Sequence, residues 1–410
     1  MSKAFLRAAV LVVALLPSFA TAAPLSLDIA IAIALRRSET ARSGRATVSS
    51  AEEMSRSAAQ FSDPTLRVAL EDLPVTGADR FRTARDSMTT KRIGLSQEWL
   101  SSDKRAARQA AADATVNRET VMVQVALADT RLQTTLVYLD AYYAGEALKL
   151  TTLMEHHAHE ELEASRARLA SATGSSQEVL ALTGAKAIAE DDSAEVRQQQ
   201  SAANVALERW VGVHPDELAA VDPVGVPPEA SYVARHPTVM TFLQDTEVAQ
   251  RAVKVASTNR NPNWTYEVGY AQRTGFSDLF TVGVSIPLPV ARGQRQDRET
   301  ASKLALVEKA DADLAEAVRA ATAEYRSLVS NDERLRDRIE RYRSGVVTVA
   351  SQRTAAATAG YRSNQTSLTT LFEARHAEVE VRRKLLLLER DLAKTEAELA
   401  YRPLFEEATR

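Results

Sequence analysis

Cysteine is absent from the 410 residues of the chain. Disulfide bonds, thiolate catalysis, cysteine-based zinc sites and a lipid-modified N-terminal cysteine are therefore excluded. Aromatic residues are scarce, at 5% of the chain, whereas alanine is abundant. This composition suits long helices in close contact more than it suits a thick globular core.

An excess of positive charge is also missing, because 51 lysines and arginines face 54 acidic residues and the formal net charge is −3. Nucleic-acid-binding proteins normally show a basic excess, so the composition disfavours that class. The sequence contains no HExxH motif, no nucleophile elbow and no glycine loop that would cradle a phosphate. We therefore predict a protein that is not an enzyme and has no cofactor.

Apolar runs in the chain are too short for a membrane helix. The N-terminus carries Lys3 and Arg7, then the apolar stretch Ala8–Leu16, then the small-residue cleavage site Ala20–Ala22. This order predicts a secretory signal peptide at residues 1–22 and an exported protein. No run of 18 apolar residues follows, so any insertion into a membrane would have to use strands.

Two stretches alternate with the period of two that is typical of strands. The first pairs residues 65–71 with 93–99, and the second pairs residues 264–271 with 280–286. The strands are long enough to cross a bilayer at a tilt. A soluble hairpin packed on a core is the alternative for the second hairpin taken alone.

The two faces of these strands differ in character. We predict that the polar face lines water through Thr265, Glu267, Thr281 and Ser285. We predict that the apolar face contacts lipid through eleven residues: Leu66, Val68, Leu70, Trp264, Tyr266, Val268, Tyr270, Phe280, Val282, Val284 and Ile286.

Helical patterns dominate the rest of the chain. Residues 25–60 predict one helix, and the proline-free residues 101–170 predict a helix of roughly 100 Å. Gly174–Ser176 predicts a turn into a returning helix that ends near Gly212. In the second half, a heptad pattern predicts a sustained seam over residues 304–356, interrupted by a charge at every third a position.

The second half of the sequence repeats the first. Asp63-Pro64 recurs as Asn261-Pro262 at an offset of 198, and Gly174-Ser175 recurs as Thr366-Ser367 at an offset of 192. This spacing predicts an internal duplication. The predicted organisation is a first repeat at 23–212 (strands 64–100, helical hairpin 101–212), a linker at 213–232, a second repeat at 233–402 (strands 263–288, helical hairpin 294–402) and a tail at 403–410.

Four strands with an apolar outer face cannot close by themselves, and lipid does not tolerate unpaired sheet edges. Three copies of the chain would supply twelve strands, within the range of outer-membrane barrels. Their helical hairpins would then lie side by side as a tube. The predicted fold class is mainly α with a membrane β-barrel: a trimeric twelve-stranded barrel continued by a long α-helical barrel.

The chain resembles the outer membrane efflux protein family, the TolC-like channels, over about residues 25–402. The resemblance is carried by LSLDIAIAIALRRSETARSGRATVSSAEE near the mature N-terminus, by the two proline–strand–loop–strand units, by the two helical turns and by IPLPVARGQRQDRETA after the fourth strand. Ser38-Glu39 departs from the Asn-Pro-like pair that is usual there, whereas its counterpart His236-Pro237 keeps the proline.

The resemblance implies a homotrimer in the outer membrane of a Gram-negative bacterium, with a helical tunnel in the periplasm. It implies a periplasmic adaptor (membrane fusion) protein and an inner-membrane RND-type pump as partners. The block NPNW…FTVGVSIPLPV is most like heavy-metal cation efflux (Czc/Cus-type) channels. Multidrug, organic-solvent and type I secretion channels share the skeleton, and a periplasmic coiled-coil protein without a pore is a further alternative.

The resemblance also places a constriction at the two helical turns, where Glu178, Tyr361 and Glu373 are the gating candidates. Thr366 and Thr370 stand where a family member has an arginine and an acid, so a salt-bridged lock is not expected. Rings of Glu178 or Glu373 carboxylates would instead attract cations. The alternative for both acids is an ordinary place near a helix N-terminus, where the dipole favours negative charge.

The histidine-rich segment at residues 155–160 is the one candidate for a metal site. On a helix, His156 lies on one face with Glu160, and His159 lies on another face with Glu155. Such pairs could hold a metal ion. The alternative is a solvated helix face, because consecutive residues such as His156 and His157 point in different directions.

Overall fold

The computed structural model describes residues 24–404. The predicted signal peptide and most of the predicted tail lie outside these residues. The described chain contains these main elements: α1 (Leu27–Arg37), α2 (Glu39–Ala58), β1 (Thr65–Glu71), β2 (Thr90–Trp99), α3 (Ser102–Ala170), α4 (Ser176–Val211), α5 (Glu229–Ala234), α6 (Pro237–Thr258), β3 (Trp264–Arg273), β4 (Leu279–Ser285), α7 (Gln296–Arg341), a π-helical segment (Tyr342–Val347), α8 (Thr348–Arg362) and α9 (Leu368–Tyr401).

The strands form one antiparallel sheet in the order β1-β2-β3-β4. Leu66 pairs with Leu95, Leu95 with Val268, and Val268 with Val282. Because side chains alternate along each strand, this register places the apolar residues of all four strands on one face.

The fourth strand is shorter than the sequence pattern predicts, since β4 ends at Ser285. Ile286 therefore lies one residue beyond the ladder. Pro287 has no backbone N–H to donate, which ends the pairing there.

Helix α3 is the scaffold of the helical part. It is 69 residues long, and the hydroxyl of Ser101 accepts a hydrogen bond from the backbone N–H of Lys104 at its start. It packs against α1, α2, α4, α6 and α9. This single helix therefore joins the two repeats along most of their length.

The predicted helix over residues 25–60 is wrong as one element, because the backbone leaves the helical region at Ser38. The Ser38 hydroxyl accepts from the N–H of Ala41 at 3.3 Å and so starts a second helix. The same break occurs at His236, with Pro237 in the first position of α6. The predicted linker also ends early, since α5 begins at Glu229.

The predicted heptad seam is interrupted. The π-helical segment begins at Tyr342, and its wider turn inserts an extra residue. Thr348 Oγ1 donates to the carbonyl of Arg343 at 3.0 Å, five residues back. Leu335 and Ile339 are buried before the segment. The next seam positions, Val346 and Val349, are instead 41% and 52% exposed.

The packing of α7 also departs from the predicted seam at its N-terminal end. Leu304 is 50% exposed, whereas Ala310 and Ala317 are buried. The reason is a change of partner, because this part of the helix packs against α6 through a cluster that includes Val239 and Ala317. A heptad pattern alone cannot distinguish one neighbouring helix from another.

The two helical turns preserve the duplication in atomic detail. Ala172 and Asn364 both adopt the left-handed conformation, with φ of 56° and 57°. After each turn a serine hydroxyl accepts from a helix N–H at 3.2 Å: Ser175 from Glu178, and Ser367 from Thr370. We call these turns and the adjoining helix ends the tip.

Candidate functional site

The apolar face of the sheet is a continuous exposed surface. All eleven residues predicted on this face are exposed, from 38% for Ile286 to 74% for Val68 and Phe280. Soluble monomers rarely expose apolar patches of such extent, so this surface marks a contact with lipid or with another protein. Gln97, which pairs with Tyr266, is a polar exception on the same face.

The opposite face of the sheet is polar and carries paired charges. The guanidinium of Arg92 lies 3.5 Å from a carboxylate oxygen of Glu71 and 3.5 Å from one of Glu267. Thr265, Thr281 and Ser285 lie on this face as predicted. The sheet therefore separates an apolar surface from a charged one.

Glu178 bridges the two turns of the tip. Its Oε1 accepts a hydrogen bond from the backbone N–H of Leu368 at 3.3 Å and lies 3.6 Å from Nη1 of Arg168. The side chain is only 13% exposed. A carboxylate at the first N–H of α9 is favoured by the helix dipole. Glu178 therefore joins the first turn to the start of α9, rather than standing free in solvent.

The other two tip candidates have different surroundings. Tyr361 is half-buried against the apolar cluster that contains Leu368 and Phe372. Glu373 is exposed and lines a cleft of about 520 Å³ together with Glu178.

The two threonines of the second turn make local hydrogen bonds. Thr366 Oγ1 donates to the carbonyl of Ala357, and the hydroxyl of Thr370 hydrogen-bonds that of Ser367. The bridge between the turns instead joins the Glu178 carboxylate to the backbone N–H of Leu368. The sequence comparison at Thr366 and Thr370 therefore does not reveal the contact between Glu178 and α9.

A row of ion pairs joins α9 to the first helical hairpin, and we call it the charge seam. In every pair the basic side chain lies on α9 and the acid lies on α3 or α4. The pairs are Arg375–Glu161 at 2.6 Å, His376–Asp192 at 3.7 Å, Arg383–Glu195 at 3.8 Å, Arg390–Asp140 at 3.9 Å and Lys394–Asp140 at 2.6 Å.

The opposite side of α9 carries acids, since Glu389 and Glu396 pair with Arg343 and Arg336 of the preceding helical segments. The two faces of α9 thus have opposite charge, which fixes its orientation between its neighbours. The sequence holds a signal for this arrangement, because His376, Arg383 and Arg390 recur at heptad spacing.

Glu161 is the most buried acid of the charge seam, at 4% exposure. Burial raises the pKa of its carboxyl to about 7, and the nearby Arg375 guanidinium opposes part of that rise. The Glu161 carboxyl therefore titrates near neutral pH, in the contact between α3 and α9.

Two side chains of the histidine-rich segment lie close to a shared acid. His156 Nε2 lies 3.3 Å and His157 Nδ1 lies 3.4 Å from the carboxylate of Glu160, and Glu155 lies 3.8 Å from Arg197. Within residues 24–404, no group of three histidine or acidic side chains is arranged to hold a metal ion. None of the described helices is long and apolar enough to cross a membrane.

Several solved structures share this architecture at low sequence identity. VceC, an outer membrane protein of Vibrio cholerae, matches with a TM-score of 0.75 and 17% identity over 93% of this chain and 97% of that chain. The CmeC outer membrane channel of Campylobacter jejuni matches with a TM-score of 0.77 and 12% identity over 94% of this chain and 87% of that chain. CusC matches with a TM-score of 0.76 and 14% identity over 91% of this chain and 90% of that chain.

The sequence comparisons add no closer relative, because no protein-family model and no curated protein matches the chain. The likeness is therefore one of three-dimensional structure. It extends over the sheet and both helical hairpins, since more than nine-tenths of the chain is covered in each comparison. The chain has the fold of the TolC-like outer membrane channels.

Proposed function

We propose that this chain is the outer membrane channel of a tripartite efflux system. The observation that carries the proposal is the four-stranded sheet, which has one continuous exposed apolar face and a polar face opposite. Its outer strands, β1 and β4, each have one partner strand in the described chain. In lipid both open edges need further partners.

Three copies of the chain close this sheet into twelve strands and bring three pairs of helical hairpins together. The charged face then lines the lumen, and the apolar face meets the outer membrane. The helical hairpins, of which α3 alone spans roughly 100 Å, extend the duct into the periplasm. The duct is passive, and it receives its cargo from an inner-membrane RND-type pump through a periplasmic adaptor.

The tip is the periplasmic end of this duct. Glu178 holds the two turns of one protomer together, Tyr361 braces the apolar packing behind them, and Glu373 presents its carboxylate to the cleft. Three symmetry-related Glu373 carboxylates form a ring that attracts cations electrostatically. This arrangement supports Glu178, Tyr361 and Glu373 as gating residues.

Spin labels on the two faces of β4 test the barrel directly. The chain has no native cysteine, so Val282→Cys and Thr281→Cys each accept one nitroxide without other changes. In reconstituted liposomes we expect the label at 282 to collide with oxygen and the label at 281 to collide with a water-soluble nickel complex. Leu180→Cys, at an exposed site on α4, is the aqueous reference. If the labels at 281 and 282 both collide mainly with the nickel complex, the assignment of the sheet to a membrane barrel is contradicted.

We propose heavy-metal cations as the cargo, on the basis of the sequence block around the second strand pair. Deletion of the gene is expected to lower the tolerance of its host for divalent metal salts, and the tolerance for dyes and detergents is expected to stay unchanged. Growth across a concentration series of each compound measures this. Sensitivity to the dyes and not to the metals would assign the channel to drug efflux.

A further inference from the structure

Two glycines face each other on the charged side of the sheet. Gly94 in β2 and Gly269 in β3 are register partners, and both are buried. A Cβ atom at Gly269 would lie 3.4 Å from Nε of Arg92, and one at Gly94 would lie 3.6 Å from Oε1 of Glu267. The side chains of Arg92 and Glu267 therefore lie flat over the two glycines.

Four charges meet around this glycine pair, and we call them the wall cluster: Arg67, Glu71, Arg92 and Glu267. Arg92 lies between the two acids at 3.5 Å from each, and Nη2 of Arg67 lies 3.8 Å from Oε1 of Glu71. The side chain of Arg92 is 23% exposed, and those of Glu71 and Glu267 are 30% and 36% exposed. The cluster has two positive and two negative charges, so it is neutral and still reaches solvent.

We propose that the wall cluster sets the ion selectivity of the barrel lumen. The proposal rests on the proposed function, because the charged face must line water in the closed barrel. Each protomer contributes one cluster, so three clusters lie at the same height of the wall. A neutral cluster favours neither ion sign, whereas the loss of one charge per protomer leaves three equal charges around the lumen.

The two glycines leave room for the charged side chains along the wall. Since neither position has a side chain, the guanidinium and the carboxylate occupy the space along the wall instead of extending across the lumen. A larger side chain at Gly269 would meet Arg92 and push its charge inward. The glycine pair therefore leaves space along the wall, and Arg92 and Glu267 fill that space with one positive and one negative charge.

Planar bilayers with the full-length trimer under a potassium chloride gradient test the proposal. Arg92→Gln leaves uncompensated carboxylates, and we expect the potassium-to-chloride permeability ratio to rise at least about threefold. Glu267→Gln leaves uncompensated guanidinium groups, and we expect the ratio to fall by a similar factor. The double variant, which is neutral again, is expected to return close to the wild-type ratio.

Two control variants separate the cluster from general charge effects. Arg92→Lys keeps the charge and is expected to keep the ratio. Glu53→Gln makes the same charge change as Glu267→Gln, but on the exposed side of α2 where Glu53 pairs with Arg56. We expect that variant to behave as the wild type.

The outcomes distinguish the proposal from the proposed function. If the wild type forms channels and both Arg92→Gln and Glu267→Gln keep its permeability ratio, the role of the wall cluster is overturned and the proposed channel function stands. A shift of both variants in the same direction would also overturn it. A wild-type protein that forms no channels would overturn both.

Discussion

A rise in pH from 6 to 8 is expected to loosen the contact between α9 and α3 near the tip, through Glu161. Burial raises the pKa of this carboxyl from 4.5 to about 7 in the folded protein. Because the folded pKa is the higher one, the stabilisation is complete below pH 4.5 and is lost as the pH rises through 7. Between pH 6 and 8 the loss is about 1 kcal/mol.

Hydrogen exchange of the α9 amides at the two pH values, corrected for intrinsic rates, measures this loss. Glu161→Gln removes the titrating group, so its exchange is expected to show no such pH dependence. Arg375→Ala leaves the Glu161 carboxylate buried without its counter-charge, and we expect a local destabilisation of about 3 kcal/mol at pH 8. Asp313→Asn, which breaks an exposed pair with Lys309, is the control. If hydrogen exchange in Glu161→Gln depends on pH as it does in the wild type, the assignment of the pH effect to Glu161 is contradicted.

Removal of the Glu178 carboxylate is expected to open the tip. Glu178→Ala loses the hydrogen bond from the N–H of Leu368 and the ion pair with Arg168 together. A charge-assisted hydrogen bond contributes about 1.5–3 kcal/mol. Its loss shifts the balance between closed and open tips by roughly tenfold to a hundredfold. In planar bilayers this appears as more frequent openings and a larger mean conductance.

Glu373→Gln is the matched control for this experiment. Glu373 lines the same cleft but is exposed, so its neutralisation leaves the bridge between the turns in place. We expect the tip to stay closed as often as in the wild type, with a lower preference for cations when it opens. An equal conductance for Glu178→Ala and the wild type would show that the bridge does not hold the tip closed.

Much of this fold follows from the sequence because the responsible signals are local. Alternation of apolar residues around Val268 and Val282 places the strands and their faces. The proline-free stretch of residues 101–170 places α3. The duplication predicts that whatever forms at the first turn, around Ala172, forms again at the second.

The missed features depend on contacts between distant segments. The partner of Glu178 is a backbone N–H in α9, which no pattern of side chains indicates. The π-helical segment lies between two stretches that both pack against α9, and no local sequence pattern marks the change of phase between them. Glu161 lies on a helix face that reads as ordinary until α9 covers it, and only then does its pKa rise.

The π-helical segment gives the second hairpin two apolar stripes that differ in phase. One extra residue rotates everything after it by about a quarter of a turn around the helix axis. The stripe before it ends in Ile339, which packs within the protomer. The stripe after it resumes at Ala357, against Leu371 and Ala374 of α9. Val346 and Val349 lie between the two stripes in the sequence and are 41% and 52% exposed, so this part of the second hairpin keeps an apolar surface that the protomer itself does not cover.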